Sequence, residues 1–316
     1  TTTLVLIDDD PRLSSTQEEI RTSDGGPLNR TMRARNRFGM GAAVGQAALA
    51  DPRGWLLEQV QPAAALLEDR SLPTASDVGK ANRALIEAQR SRDDEATREA
   101  RETIRGIVRQ EGAAALRARV TSEAPFAERL VAFWSNHLCI AVPAKPPLAA
   151  LAGLYERQAI RPHVFGRYED MVLASARHPA MLTYLDNAVS IGPNSEAARN
   201  LARRGRERGL NENYARELLE LHTLGVDGGY TQEDVEALAR ILTGWTATGF
   251  GFADRLARGR GRGDTGANDG SVAFAYRDVL HEPGDKTLLG VKYRGAGEDE
   301  GCLLYTSDAA DDEYNV

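Results

Sequence analysis

Thiols are scarce in this chain. Cys139 and Cys302 are its only two cysteines in 316 residues, too few for a disulfide framework or a cysteine-based zinc knuckle. Cys139, within HLCIA, reads as a small buried hydrophobe. No apolar run reaches roughly 18 residues, so no segment reads as a membrane-spanning helix. The opening TTTLVLIDDDPRLSS has a short apolar run with no basic residue ahead of it, and no signal peptide is visible. Positive charge is not in excess: 39 Lys and Arg against 46 Asp and Glu leave a net charge of -7, the wrong sign for a general nucleic-acid binder. Compact catalytic signatures are missing too. There is no HExxH pair, serine nucleophile elbow, P-loop or dinucleotide fingerprint.

What the chain does have is helical periodicity. Hydrophobic residues make up 42%, enough to fill one large domain or two modest ones. In DPRGWLLEQV, Asp51-Pro52 opens a short helix with Trp55, Leu56 and Val60 toward a core. From Thr74 to about Val120 the sequence is dense in Arg, Glu and Ala, which reads as a solvated helix pair laced with i,i+4 charge pairs. In PFAERLVAFWSNHLCIA, Phe126, Leu130, Phe133 and His137 share one helical face. Arg199, Arg203, Arg204, Arg206 and Arg208 read as a solvated surface. Thr231 with Asp234 forms a capping box ahead of Val235, Leu238, Ile241 and Leu242. Beyond Trp245, TATGFGF and SVAFAYRDVL alternate as strands. They flank a glycine- and arginine-rich tip, read as disordered, that contains the triplet Arg262-Gly263-Asp264. The fold class is therefore mainly α: a multi-helix, bundle-like domain with a small β-hairpin near its C-terminal end.

The stretch GLNENYARELLELHTLG, residues 209 to 225, organises the rest. Asn211 or Asn213 can cap its start and Gly225 its end. At 100° per residue, Tyr214, Ala215, Leu218, Leu219 and Leu221 fall on one apolar arc, and His222 lies near the middle of it. An imidazole buried there must find hydrogen-bond partners, bind a metal or act as a base. Glu217, five residues away, points about 140° elsewhere on a regular helix. All five histidines, His137, His163, His178, His222 and His281, lie beyond residue 136. His163 follows Pro162 at a helix entrance and His178 precedes Pro179 at its exit. His281 sits in the turn HEPGDKTLLG. Asn136 adjoins His137.

The blocks RFGMG, DPRGWLL, FWSNH and AIRPHVFGRYEDMVLASARHPAMLTYLDNAVSIGPNS, together with GLNENYARELLELHTLGVDGGYTQEDVEALARILTGW and HEPGDKTLLG, carry a resemblance. They resemble the large bacterial family catalogued as domain of unknown function 1800, over about residues 35 to 301. The resemblance implies a mostly helical fold and export to the periplasm or beyond, and it assigns no activity. Against it, residues 1 to 34 read as a poorly ordered leader outside the family. Residues 302 to 316 read as a non-native tail, similar to adapter read-through, that leaves the domain truncated.

Two functional expectations follow. The first is an exported enzyme, a metal-dependent hydrolase, in which His137, His222 and Glu217 do the chemistry. A divalent metal would then draw on His137, His163, His178, His222 and His281, with Asn136, Asn211 and Asn213 as outer hydrogen-bond partners. The second is a non-catalytic exported scaffold or assembly protein, in which the same groups form a buried polar network. An unidentified protein partner or a polymer substrate is compatible with either.

Overall fold

Alternation of a thin apolar stripe with dense charge builds the longest elements. A computed structural model describes residues 27–42, 45–142, 146–206, 209–249, 270–295 and 297. Helix α1 (Pro27–Phe38) starts ahead of the boundary expected at residue 35, and two short helices follow, α2 (Pro52–Leu57) and α3 (Pro62–Ala65). Residues 1–26 of the expected leader and all of the expected tail lie outside the described residues. Asp51 caps α2 by accepting from the Arg53 amide, as expected, but Val60 is exposed and Gln59 is buried in its stead. The Gln59 amide oxygen is needed inside, where it accepts from the Phe126 amide at 2.8 Å.

The charged segment forms the helix pair α4 (Ala75–Ser91) and α5 (Asp94–Thr121). Thr74 and Asp77 close a capping box on α4, and Asp93 caps α5. Ala100, Ile104, Ile107, Glu111 and Ala114 form the buried stripe of α5, the spacing that keeps one face inward. Among the described residues its surface pairs fall at i,i+3, Glu95 with Arg98 and Glu102 with Arg105, and at i,i+7, Glu102 with Arg109, and not at i,i+4. All are solvated and each contributes little.

Helix α6 (Pro125–His137) turns a different face inward from the one expected. Ala127, Glu128 and Val131 are buried, whereas Phe133 is 58% exposed and His137 is exposed as well. The face is chosen by charge, because Glu128 must reach the buried Arg161 at 2.7 Å. Cys139, just beyond the helix, is exposed and not a core residue. Helix α7 (Pro146–Tyr155) runs on into a π-helical turn (Glu156–Ile160) and a 3-10 turn (Arg161–His163). Then come α8 (Tyr168–Arg177), α9 (Pro179–Tyr184), α10 (Glu196–Ala202) and α11 (Asn213–Glu217), the last continuing as a second π turn (Leu218–Thr223). Helix α12 (Gln232–Leu242) carries the expected capping box and buried face. Arg199, Arg203, Arg204 and Arg206 are exposed, as expected of a solvated run.

Strands β1 (Trp245–Ala247) and β2 (Phe274–Tyr276) pair antiparallel with Trp245 opposite Tyr276. The stretch between them from 250 to 269, with the Arg262-Gly263-Asp264 triplet, lies outside the described residues. A second hairpin, β3 (Lys286–Leu288) with β4 (Val291–Tyr293), was not expected from HEPGDKTLLG. Its two turn residues, Leu289 and Gly290, both have positive φ, 51° and 78°, the conformation of tight hairpins that usually calls for Asn-Gly. Leucine is held there because its amide donates to Asp234 Oδ1 at 2.6 Å, at the start of α12. One large core joins α3 to α9, α11, α12 and both hairpins through residues such as Leu85, Leu151, Met181, Tyr214, Trp245 and Leu288, whereas α10 packs through Ala197 into a small second cluster with Ile191 and Leu280.

Candidate functional site

Tyr168 opens α8 and meets two of the five histidines. Its hydroxyl lies 2.6 Å from the backbone carbonyl of His222 and 3.2 Å from Nε2 of His137. A carbonyl can only accept, so the phenol proton goes to His222 and the phenol oxygen accepts from His137 Nε2–H. Neutral His137 therefore carries its proton on Nε2, and Nδ1 is a lone pair with no partner among the described residues. Trp134 stacks on Tyr168 at 5.0 Å and meets the His137 ring edge-on at 5.7 Å. Phe133 lies parallel to the His137 ring at 6.3 Å. The end of the stripe expected to point inward, Phe133 and His137, forms instead an aromatic shelf at the surface with Trp134 and Tyr168, whereas Leu130 packs half-buried against the core and Phe126 against Phe38 and Phe165.

His222 is buried, as the helical wheel anticipates, but not by a regular helix. The backbone from Leu218 to Thr223 is a π turn, in which the Leu224 amide donates to the Leu219 carbonyl at 2.9 Å. The wider turn swings Leu221 off the apolar arc, and it is 56% exposed. Burial first, and the charge of nearby His137 second, lower the pKa of His222 to about 4. The imidazole is thus neutral at neutral pH. π turns are uncommon and cluster at functional sites. This one sets the His222 carbonyl against Tyr168.

The other histidines go elsewhere. His178 caps α9: Nδ1 accepts from the Ala180 amide at 3.1 Å, so Nε2–H donates to Gln158 Oε1 at 3.1 Å. Burial lowers its pKa to about 3. His281 donates from Nδ1 to the Thr243 carbonyl at 2.7 Å, and its Nε2 accepts from the buried Lys286 ammonium at 3.0 Å. Lys286 also donates to the Glu282 carbonyl at 2.6 Å. The Glu282 carboxylate takes the Asn194 amide at 2.8 Å and its side-chain nitrogen at 2.6 Å. His163 is half-buried in the 3-10 turn, and burial lowers its pKa against the opposing pull of Asp170. The structure thus brings together His137 and His222 and leaves His163, His178 and His281 apart. Among the described residues no three His, Cys, Asp or Glu side chains converge as a metal site, so the five-histidine centre is not formed. The physical reason is that His178 and His281 have both ring nitrogens engaged by the fold.

The remaining expected residues divide similarly. Asn211 fixes the entry to α11, its Oδ1 accepting from the Asn213 amide at 2.9 Å and its Nδ2 donating to the Asp186 carbonyl. Asn213 and Asn136 are exposed, and Glu217 is half-buried with no carboxylate partner among the described residues. Sequence reasoning passed over Tyr168, which a helix-opening aromatic does not advertise. It also passed over a buried ion cluster. Arg161, fully buried, donates from Nη1 to Glu128 and the Ala65 carbonyl and from Nε to Glu156. Burial works against its charge, but the Glu128 hydrogen bond and the Glu156 and Glu128 charges prevail and raise its pKa. Arg157 makes a second pair with Glu111 at 2.6 Å. The signal available was ERQAIR, three charges inside an otherwise apolar helical stretch.

A family model described as a protein of unknown function (DUF1800) matches residues 33–307. No curated protein and no solved structure matches the chain.

Proposed function

Because the chain belongs to the DUF1800 family, whose description assigns no activity, we propose from the side chains alone that it is a hydrolase centred on His137, Tyr168 and His222. The observation that carries this reading is the commitment of the Tyr168 proton to the His222 carbonyl. It leaves His137 with a fixed tautomer and an open Nδ1 at the surface. As general base, Nδ1 would take a proton from water as that water attacks the substrate. Nε2–H would go on donating to Tyr168, whose oxygen supports the imidazolium. A neutral His222 spares that imidazolium a second cation at close range. Asn136, exposed beside His137, can orient water or substrate. If the hydrolase uses a divalent metal, His137 and His222 are the imidazoles of this cluster that would hold it, and no third His, Cys, Asp or Glu joins them among the described residues.

Specific observations also favour the scaffold reading. The Arg161 and His281 clusters are buried and well paired, as expected of networks that fix helix packing. One experiment separates the two. The protein is purified without a histidine tag, assayed for bound metal, and screened against ester, phosphoester, peptide and glycoside substrates beside His137→Gln. Hydrolysis of any class, reduced roughly 100-fold or more in a folded His137→Gln, supports the enzyme. Absence of hydrolysis across the panel, or equal rates in the variant, overturns it in favour of the scaffold.

A further inference from the structure

Tyr155, at the end of α7, uses its hydroxyl much as Tyr168 does. It lies 2.7 Å from the Leu138 carbonyl and 2.7 Å from Ser175 Oγ, fully enclosed. The carbonyl can only accept, so Tyr155 donates to Leu138 and accepts from the Ser175 hydroxyl. Leu138 follows His137 directly and is the C-cap of α6, with a non-helical backbone (φ -97°, ψ 48°). Ser175 lies seven residues after Tyr168, two turns along the same face of α8. Helix α8 therefore holds the end of α6 twice: through Tyr168 at the His137 ring, and through Ser175 and Tyr155 at the next carbonyl.

The geometry points to Tyr155 and Ser175 as positioning residues that hold the His137 imidazole against Tyr168. This rests on the reading of His137 as the working group, and it goes beyond that reading by assigning control of the ring to two side chains that never touch it. Burial, the main influence on the Tyr155 phenol, raises its pKa, so it stays a donor across the working range. Without the hydroxyl, the Leu138 carbonyl loses its side-chain donor and the helix end is free to turn. The 3.2 Å contact from His137 Nε2 is the first thing such a turn breaks.

The test is imidazole nitrogen NMR on the whole chain, with folding checked by circular dichroism. In the native protein His137 shows two well-separated nitrogen resonances with the proton on Nε2. In Tyr155→Phe, and in Ser175→Ala should the first variant not fold, the two resonances converge toward a tautomer average. Ser175→Thr, which keeps a hydroxyl, restores the native pattern. A folded Tyr155→Phe or Ser175→Ala with native His137 resonances overturns the inference. The readout needs no turnover. Loss of the hydrolase reading alone would therefore appear as a catalytically silent His137 whose tautomer still responds to Tyr155.

Discussion

Two polar clusters of this molecule differ in how completely they are satisfied. Around Arg161 every guanidinium nitrogen has a carboxylate or carbonyl partner, and the residue is sealed from water. Around the exposed His137 one ring nitrogen is engaged and the other has no partner among the described residues, beside a 58% exposed Phe133. A saturated cluster has no capacity left for a ligand, so its effect is on stability and on which helix face turns inward. A half-satisfied cluster at the surface contributes little to stability and is open to chemistry.

The comparison is broken most easily at Arg161. Arg161→Ala strands the buried Glu128 and leaves the half-buried Glu156 with Arg119 as its ion-pair partner, and urea denaturation should show a loss of about 3–5 kcal/mol. A loss below about 1 kcal/mol would mean that water reaches the cluster. Next in size is the response to acid. His178 and His222 have folded pKa values of about 3 and about 4, below the ordinary 6.5. The unfolded chain therefore binds more protons than the folded one below pH 6.5. The stability held by the neutral imidazoles is full above that pH and declines as the pH falls toward the folded values. The slope is at most about 1.4 kcal/mol per pH unit for each group. In His178→Asn, which keeps an acceptor for the Ala180 amide, roughly half of this slope should vanish from denaturation curves taken across the window.

Much of the architecture could be read directly, and the exceptions have definite causes. Capping boxes at Thr74 and Thr231 are local, so their helices begin where short-range hydrogen bonds say they should. Thr231→Ala should accordingly cost about 1 kcal/mol in thermal unfolding, and a change near zero would detach that helix start from the count. Periodicity failed where the backbone left the α-helix, since the π turn at Leu218–Thr223 exposes Leu221 without any compositional sign. It failed again on α6, where a long-range partner, Arg161, outweighed the apolar stripe in choosing the buried face. His222 was legible because a polar group on an apolar arc is conspicuous. Tyr168 was not, because its role depends on two segments 31 and 54 residues away.

The smallest expected effect on stability sharpens the contrast from the other side. His137→Gln removes an exposed ring with a single hydrogen bond, and its unfolding free energy should stay within about 0.5 kcal/mol of the parent. A large loss there would make the surface cluster structural after all.

The most direct test follows the ring nitrogens of His137 and His222 in the unmodified protein while the pH is lowered from about 8 to about 4, where the pKa of His222 is placed. The expected result is a His222 that stays neutral until the acid end of the range, beside a His137 that begins with its proton on Nε2. A His222 that titrates near 6.5, or a His137 protonated on Nδ1 at the start, would contradict the proposed centre.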